Sequence, residues 1–393
     1  MASPIYEPNL EIGEIKIPVR KVVHFDYQHV WDRGPRLHLI IEDDNMDLHR
    51  DLKDISGNPT PEVKFKLEYK SSEGRSYENE GATHVLHIAN IFMITTKDGP
   101  AIRIIAVSKF ALIACTTTTS FYEKSARANE YIQNLCQHHD IKAEIPETGD
   151  RAAVHRSRQI KIINAIRYEL DRVLSTGGKP ITLQYDDRAD ESKLLGFGEF
   201  YEDATQELDT FSGSRYTYGN AMDTESPGAG YGTAAYGFSI GQDFTKVQWG
   251  HNVSGRQLTT TNELIEGDVE ARLANRLGID GEILRSATQR LQIAGNTSDD
   301  ANTDEYYHRS TLVNRVFQTE MSMTSGYVII DADFKAFDDP SILNRSHIYV
   351  SVSSGQSVNS GHALIPNECV VMGYQHILNI KGGWTKVLIR RGK

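Results

Sequence analysis

Cysteine is scarce here: Cys115, Cys136 and Cys369 are three in number and far apart. An odd count at such spacing excludes a disulfide framework and any zinc site assembled from CxxC pairs, and leaves buried, reduced thiols as the expectation. Long apolar runs are missing too. No window approaches the roughly eighteen uninterrupted apolar residues that a bilayer-spanning helix needs. The opening Met1-Ala-Ser-Pro-Ile-Tyr-Glu-Pro8 has neither a basic nor an apolar leader segment, so a cytosolic-type chain with no membrane partner is expected. Positive charge is also short. The net charge is -11, and it divides into about -3 over residues 1–120, -1 over 121–200, -9 over 201–310 and +2 over 311–393. No segment holds the dense basic patch that sequence-tolerant phosphate binding requires, which disfavours retention of nucleic acid.

Catalytic signatures are equally thin. The HExxH and SxxK patterns are absent, Gly177-Gly-Lys179 runs into Pro180, and the glycines from Gly228 to Gly237 lack the Lys-Ser/Thr pair of a phosphate cradle. Asp186-Asp187, Asp299-Asp300 and Asp338-Asp339 sit in polar, turn-like surroundings and are expected to be solvated. His84 and His87 on one strand point to opposite faces and cannot jointly grip a metal without a bulge. Asp43-Asp-Asn-Met-Asp47 lacks the glycine and glutamate of a calcium loop and is expected to be a hydrophilic hairpin loop. No catalytic residue, cofactor or metal is assigned, and the chain is expected not to be an enzyme.

What is present is strand-forming sequence at both ends. Ile15 to Val19 and Val63 to Tyr69 alternate apolar with polar, while Val85 to Ile94 and Ile102 to Val107 are longer apolar runs. Strict alternation predicts one buried and one wet face; unbroken runs predict two covered faces. At the other end, Gly326 to Phe334, His347 to Val352, Val370 to Leu378 and Thr385 to Arg390 predict four antiparallel strands, the last two joined through Asn379-Ile-Lys-Gly-Gly383. Between the ends, Ala128, Ile132, Leu135 and Cys136 mark one face of a helix that gives out at His138-His-Asp140. Ile160, Ile163, Ile166 and Leu170 predict a second over Ala152 to Leu174, and Thr182 to Tyr185 and Phe197 to Tyr201 predict short strands. Helical segments are further predicted near 269–277, 282–291 and 311–323. From Phe211 to Phe238 the chain is rich in Gly, Ser, Thr and Tyr, which predicts a long exposed loop. Its Tyr216, Tyr218, Tyr231 and Tyr236 are the candidate partner contacts, since tyrosine offers large contact area at low entropic cost.

The expected fold is α+β, mainly β: two similar antiparallel β-barrels with inserted helical segments. The expected division is a first barrel over 1–120, a helical and mixed insertion over 121–205, the Tyr/Gly-rich loop and start of a second barrel over 206–262, an acidic helical insertion over 263–325, and the remainder of the second barrel over 326–393.

Three further segments stand in a telling order: Thr117 to Ser125 leading into a helix, Tyr306-Tyr-His-Arg-Ser-Thr-Leu-Val-Asn-Arg315, and the closing run Val371-Met-Gly-Tyr-Gln-His-Ile-Leu378 with Thr385 to Arg390. In this order of parts the chain resembles the central baseplate hub proteins of contractile-tailed bacteriophages, of the late control protein D type, and the N-terminal half of type VI secretion spike proteins. The Tyr/Gly loop and the long acidic segment after it depart from the pattern. The resemblance implies a homotrimer whose two barrels per subunit make a pseudo-sixfold ring. Its partners would be the hexameric tail tube protein, the trimeric central spike protein and baseplate wedge proteins, with DNA only as passing cargo, in a virion tail assembled in the host cytoplasm. Two other classes stay open: a peptidoglycan hydrolase using Glu169 and Glu199, and a different structural tail component such as a wedge or tube initiator.

Overall fold

The computed structural model describes residues 5–30, 34–44, 47–54, 61–70, 82–188, 192–197, 215–218, 233–242, 306–307, 310–311, 314, 324–331, 347–352, 368–379 and 382–391. Seven strands come first: β1 Ile5–Ile12, β2 Ile15–Ile17, β3 Val22–Val30, β4 Gly34–Glu42, β5 Glu62–Lys70, β6 His84–Thr96 and β7 Gly99–Val107. Their alternation sets the core. Phe25, Tyr27 and His29 of β3, Leu37, Leu39 and Ile41 of β4, and Val63, Phe65 and Leu67 of β5 point inward, while Lys64 and Lys66 stay outside.

The stretch expected as a hairpin loop, Asp43 to Asp47, leads from β4 into a helix, α1 Asp47–Asp54, rather than into a paired strand. Asp43 is buried, and its Oδ1 accepts the Leu48 backbone N–H at 3.0 Å. Leu48 and Leu52, four apart, then fall on one face and enter the barrel core. Each contributes about 1.5–3 kcal/mol by burial.

The middle of the chain is a small mixed module: α2 Lys109–Thr116, β8 Thr118–Thr119, β9 Tyr122–Ala126, α3 Ala128–His138, β10 Ala143–Glu144, β11 Ala153–Arg156, β12 Ile160–Lys161, α4 Ile162–Leu170, β13 Thr182–Asp186 and β14 Lys193–Phe197. Helix α3 lies where its apolar spacing predicts, with Tyr131, Ile132, Leu135 and Cys136 buried. The second predicted helix is much shorter. Residues 153–161 are claimed by β9 and β8, the Ser157 N–H donates to the Phe121 carbonyl at 2.9 Å, and Gln159 turns with φ 47°, so helix begins only at Ile162. Strand pairing outweighed a helical period there. Of the strand predicted over Phe197 to Tyr201, Phe197 closes β14, which starts at Lys193, and residues 198–201 lie outside the described residues.

The remaining strands are β15 Arg215–Tyr218, β16 Thr233–Gln242, β17 Thr324–Asp331, β18 His347–Val352, β19 Glu368–Asn379 and β20 Gly382–Arg391. They pair in the order β18-β15-β16-β17-β20-β19, and β19 pairs back onto β18, so this second sheet closes on itself. Closure removes the free edges. The strand β15 runs parallel to both its neighbours, whereas the other pairings in the ring are antiparallel. The loop expected over 211–238 therefore contains β15 and the start of β16: backbone hydrogen bonding within the ring orders a stretch whose side chains are too small and polar to announce a strand. The helices predicted near 269–277 and 282–291 lie outside the described residues.

One strand belongs to both barrels. The start of β19 pairs with β18, while residues 373–379 pair with β3 from Val30 to His24. Val371, Tyr374 and Leu378 of β19 and Val387 and Ile389 of β20 share one buried cluster with Leu10 and Ile12 of β1, at the far end of the first sheet. The first sheet thus curls until its two ends meet over a common core.

Candidate functional site

Among the described residues, the shared strand β19 and its surroundings gather a bulge, a glycine-dependent close approach and a buried aromatic and titratable cluster. A bulge between Val371 and Gly373 shifts β19 by one residue, so Val371 and Tyr374 both face inward. Gly373 is required by close approach: a Cβ there would lie 2.8 Å from the His29 carbonyl oxygen and 3.0 Å from the Val30 Cα. Only glycine lets β19 and β3 come together at the point where β19 passes from one barrel to the other.

Inside, a cluster of aromatic and titratable side chains fills the space below this joint. Tyr374 packs against Tyr27, His29 and His376, and Tyr27 and Phe65 pack against His84. His376 Nδ1 lies 2.9 Å from the Thr385 hydroxyl, across the β19–β20 hairpin. Burial pulls the His29 imidazole down to about 4 and holds His376 well below the ordinary range, so both rings are neutral.

Asp187 supplies the charge in the cluster. The segment after β13 brings it 3.0 Å from His84 Nδ1, and the Tyr27 hydroxyl donates to its two oxygens at 3.2 and 3.0 Å. Burial by itself would raise this carboxyl, but the charge and hydrogen bond of His84, with His29 and Tyr27 adding to them, outweigh it and hold Asp187 below the usual range. Its backbone joins in, as the Asp187 carbonyl accepts the Val85 N–H at 2.8 Å. The neighbouring Asp186 is fully buried and takes the Arg188 guanidinium on both oxygens. The expectation that Asp186 and Asp187 are solvated turn residues is thus overturned: the turn lies under the barrel wall, and both carboxylates are paired there. His84 and His87 do not act together, as His84 is inside and takes this carboxylate.

Glu169 is also buried, with its Oε2 3.1 Å from His155 Nδ1. Burial pulls His155 down, yet the bond and charge of Glu169 and the Ala126 carbonyl prevail and raise it. Such a paired, water-excluded carboxylate suits holding α4 against β11 rather than meeting a polymeric sugar. Glu199 lies outside the described residues. Gly237-Phe-Ser-Ile-Gly241 spells the GxSxG pattern, but it pairs residue by residue with β17 and makes no strand-to-helix elbow.

Of the tyrosines singled out as partner contacts, Tyr216 and Tyr218 are in β15, Tyr236 is in β16, and Tyr231 lies outside the described residues. From the Tyr306 segment, Tyr306, Tyr307, Ser310, Thr311 and Asn314 are helical. Asn314 Nδ2 donates to the Leu170 and Val173 carbonyls at 2.9 Å each, capping the end of α4. Among the described residues no helix is long and apolar enough to cross a membrane.

No protein-family model and no curated protein matches the sequence. Solved structures do match. The tail protein from Neisseria meningitidis MC58 superposes with a TM-score of 0.56 at 9% identity, over 98% of this chain and 96% of that one. The 43 kDa tail protein of prophage MuSo2 from Shewanella oneidensis gives 0.52 at 9% identity, over 98% of each chain. The E. coli c3393 protein, a type VI secretion component with structural similarity to the T4 bacteriophage tail proteins gp27 and gp5, gives 0.51 at 8% identity, over 98% of this chain and 77% of that one. The fold of this chain is thus the one that phage tail proteins share with a type VI secretion component.

Proposed function

We propose that the chain is a structural component of a contractile-type tail, a baseplate hub that forms a homotrimeric, pseudo-sixfold ring. One face of the ring meets the hexameric tail tube protein and the other the trimeric central spike protein, with wedge proteins around it. The observation that carries this reading is the shared strand β19, hydrogen bonded into both barrels. Two barrels locked by one strand move as a unit, so three subunits can present six surfaces at fixed spacing. The division at residues 120, 205, 262 and 325 remains part of the proposal, with the closing hairpin serving both barrels.

The net charge of -11 favours a conduit, since a basic lumen would hold passing DNA by counterion release. Tyr216, Tyr218, Tyr231 and Tyr236 are proposed as partner contacts, tested one at a time by Tyr→Ser exchange and particle incorporation. Removing 213–233 as a block is a poor test, because it takes out β15 and opens the closed ring.

The deciding experiment is solution mass by light scattering with electron-microscopy class averages, for the 44.1 kDa chain alone and with a trimeric spike protein. Roughly three times the chain mass and a ring of sixfold outline are expected. A monomer that persists with the spike present overturns the proposal.

A further inference from the structure

On the outer face of the first barrel, directly behind the buried cluster, three metal-ligating side chains converge. His24 and Asp26 are two apart on β3 and share that face, and Asp26 stands opposite His38 on β4. A register shift between Val22 and His24 turns the start of β3 toward the same patch. The rings of His24 and His38 pack edge to face at 5.4 Å, and one ligand atom from each of the three residues lies within 4.8 Å of the other two. All three are half-buried.

We propose that His24, Asp26 and His38 bind a divalent transition metal ion of the zinc and nickel kind, in competition with Arg103. Two imidazoles and one carboxylate suit such ions and not calcium or magnesium, which prefer all-oxygen shells. Two neighbours prepare the site in opposite senses. Gln375 donates from Nε2 to Asp26 Oδ1 at 2.9 Å, setting the plane of the carboxylate as an outer-shell partner does and leaving the second oxygen to a metal. Arg103 donates from Nε to His38 Nε2 at 2.7 Å, so this imidazole already turns its lone pair toward a cation. The Arg103 side chain is exposed and can swing into solvent, which frees that lone pair. Donor atoms around a tetrahedral ion stand roughly 3.3 Å apart, so binding also needs a modest inward rotation of the two rings. The bound ion would clip β3 to β4 from outside. With three protein ligands it keeps an open position for a donor from another molecule. None of this depends on the proposed hub role.

The test is isothermal titration of the full chain with zinc chloride and nickel chloride in a non-chelating buffer, with calcium chloride as control. One saturable site for zinc and nickel, and none for calcium, is expected. His24→Ala and His38→Ala should each weaken it about tenfold or more, as loss of one of three ligands requires. Arg103→Gln should tighten it about three- to tenfold, by removing the competing cation. Because Arg103 is exposed and is not a ligand, that arm decides the matter even where a histidine variant folds poorly. Unchanged affinity in both histidine variants would assign the binding to other histidines among the chain's 14 and overturn the proposal. So would weaker binding by Arg103→Gln.

Discussion

Asp187 Oδ1 lies 3.0 Å from Nδ1 of His84, a residue 103 positions earlier in the chain, and the pair joins the mixed middle module to the inner wall of the first barrel. The contact is completely enclosed, at 3% side-chain exposure for the histidine and 1% for the aspartate. Its energetics follow from that enclosure: what matters is the cost of leaving one partner alone.

Replacing Asp187 by Ala leaves the His84 ring and the Tyr27 hydroxyl facing a dry gap, and should destabilise the protein by about 3–5 kcal/mol. Tyr27→Phe removes the hydroxyl's hydrogen bonds to the carboxylate and its 3.4 Å contact with His84 Nδ1, and should cost about 1.5–3 kcal/mol. Urea unfolding of both variants and of the double variant measures this. A double variant that loses the full sum of the two single losses would mean that Tyr27 and Asp187 do not act through one network.

Gly373→Ala should destabilise by about 1–3 kcal/mol, because the new methyl group meets backbone atoms of His29 and Val30 that cannot rotate away. The strands β3 and β19 must then part, loosening the joint between barrels. Gly177→Ala is the control, since its Cβ would meet the Ser175 Oγ at an ordinary 3.7 Å. Equal thermal midpoints for the two variants would refute the steric account.

Acid should weaken the fold through His29. Its imidazole titrates near 6.5 when unfolded and at about 4 in the barrel, so below 6.5 the unfolded chain binds the extra proton first. Stability is therefore full above pH 6.5, falls as pH drops toward 4, and the loss amounts to about 3 kcal/mol from this group. Asp187 adds a second, more acidic loss: its carboxyl is held low when folded, so that contribution is present above the unfolded carboxyl range and disappears as pH falls through the lower folded value. Denaturant midpoints from pH 7.5 to 4 for the parent and His29→Phe check the first part. A variant with the same slope as its parent would show that His29 is not the sensor.

Residues 15–17, 63–69 and 102–107 carry strand periodicity strong enough to be legible without any structure, although the strand expected to run to Val19 stops at Ile17, before a 3-10 turn over Val19–Lys21; α3 is equally legible from the spacing of Ile132, Leu135 and Cys136. These are local matters, set by which neighbours along the chain share a face. The mainly β class, with strands at both ends and helices between, follows from them. Three features came only with the tertiary structure. The start of α4 was decided by strands β8 and β9, which claimed residues with a helical period. The strand β15 formed in a Tyr- and Gly-rich stretch because β16 and β18 offered it backbone partners on both sides. Asp186 and Asp187 went from apparent surface turn to buried anchor because a histidine, a tyrosine and an arginine met them there. Alternation tells which face of a strand is apolar, but which strand lies beside it is chosen by segments hundreds of residues away, as when β3 pairs with β19.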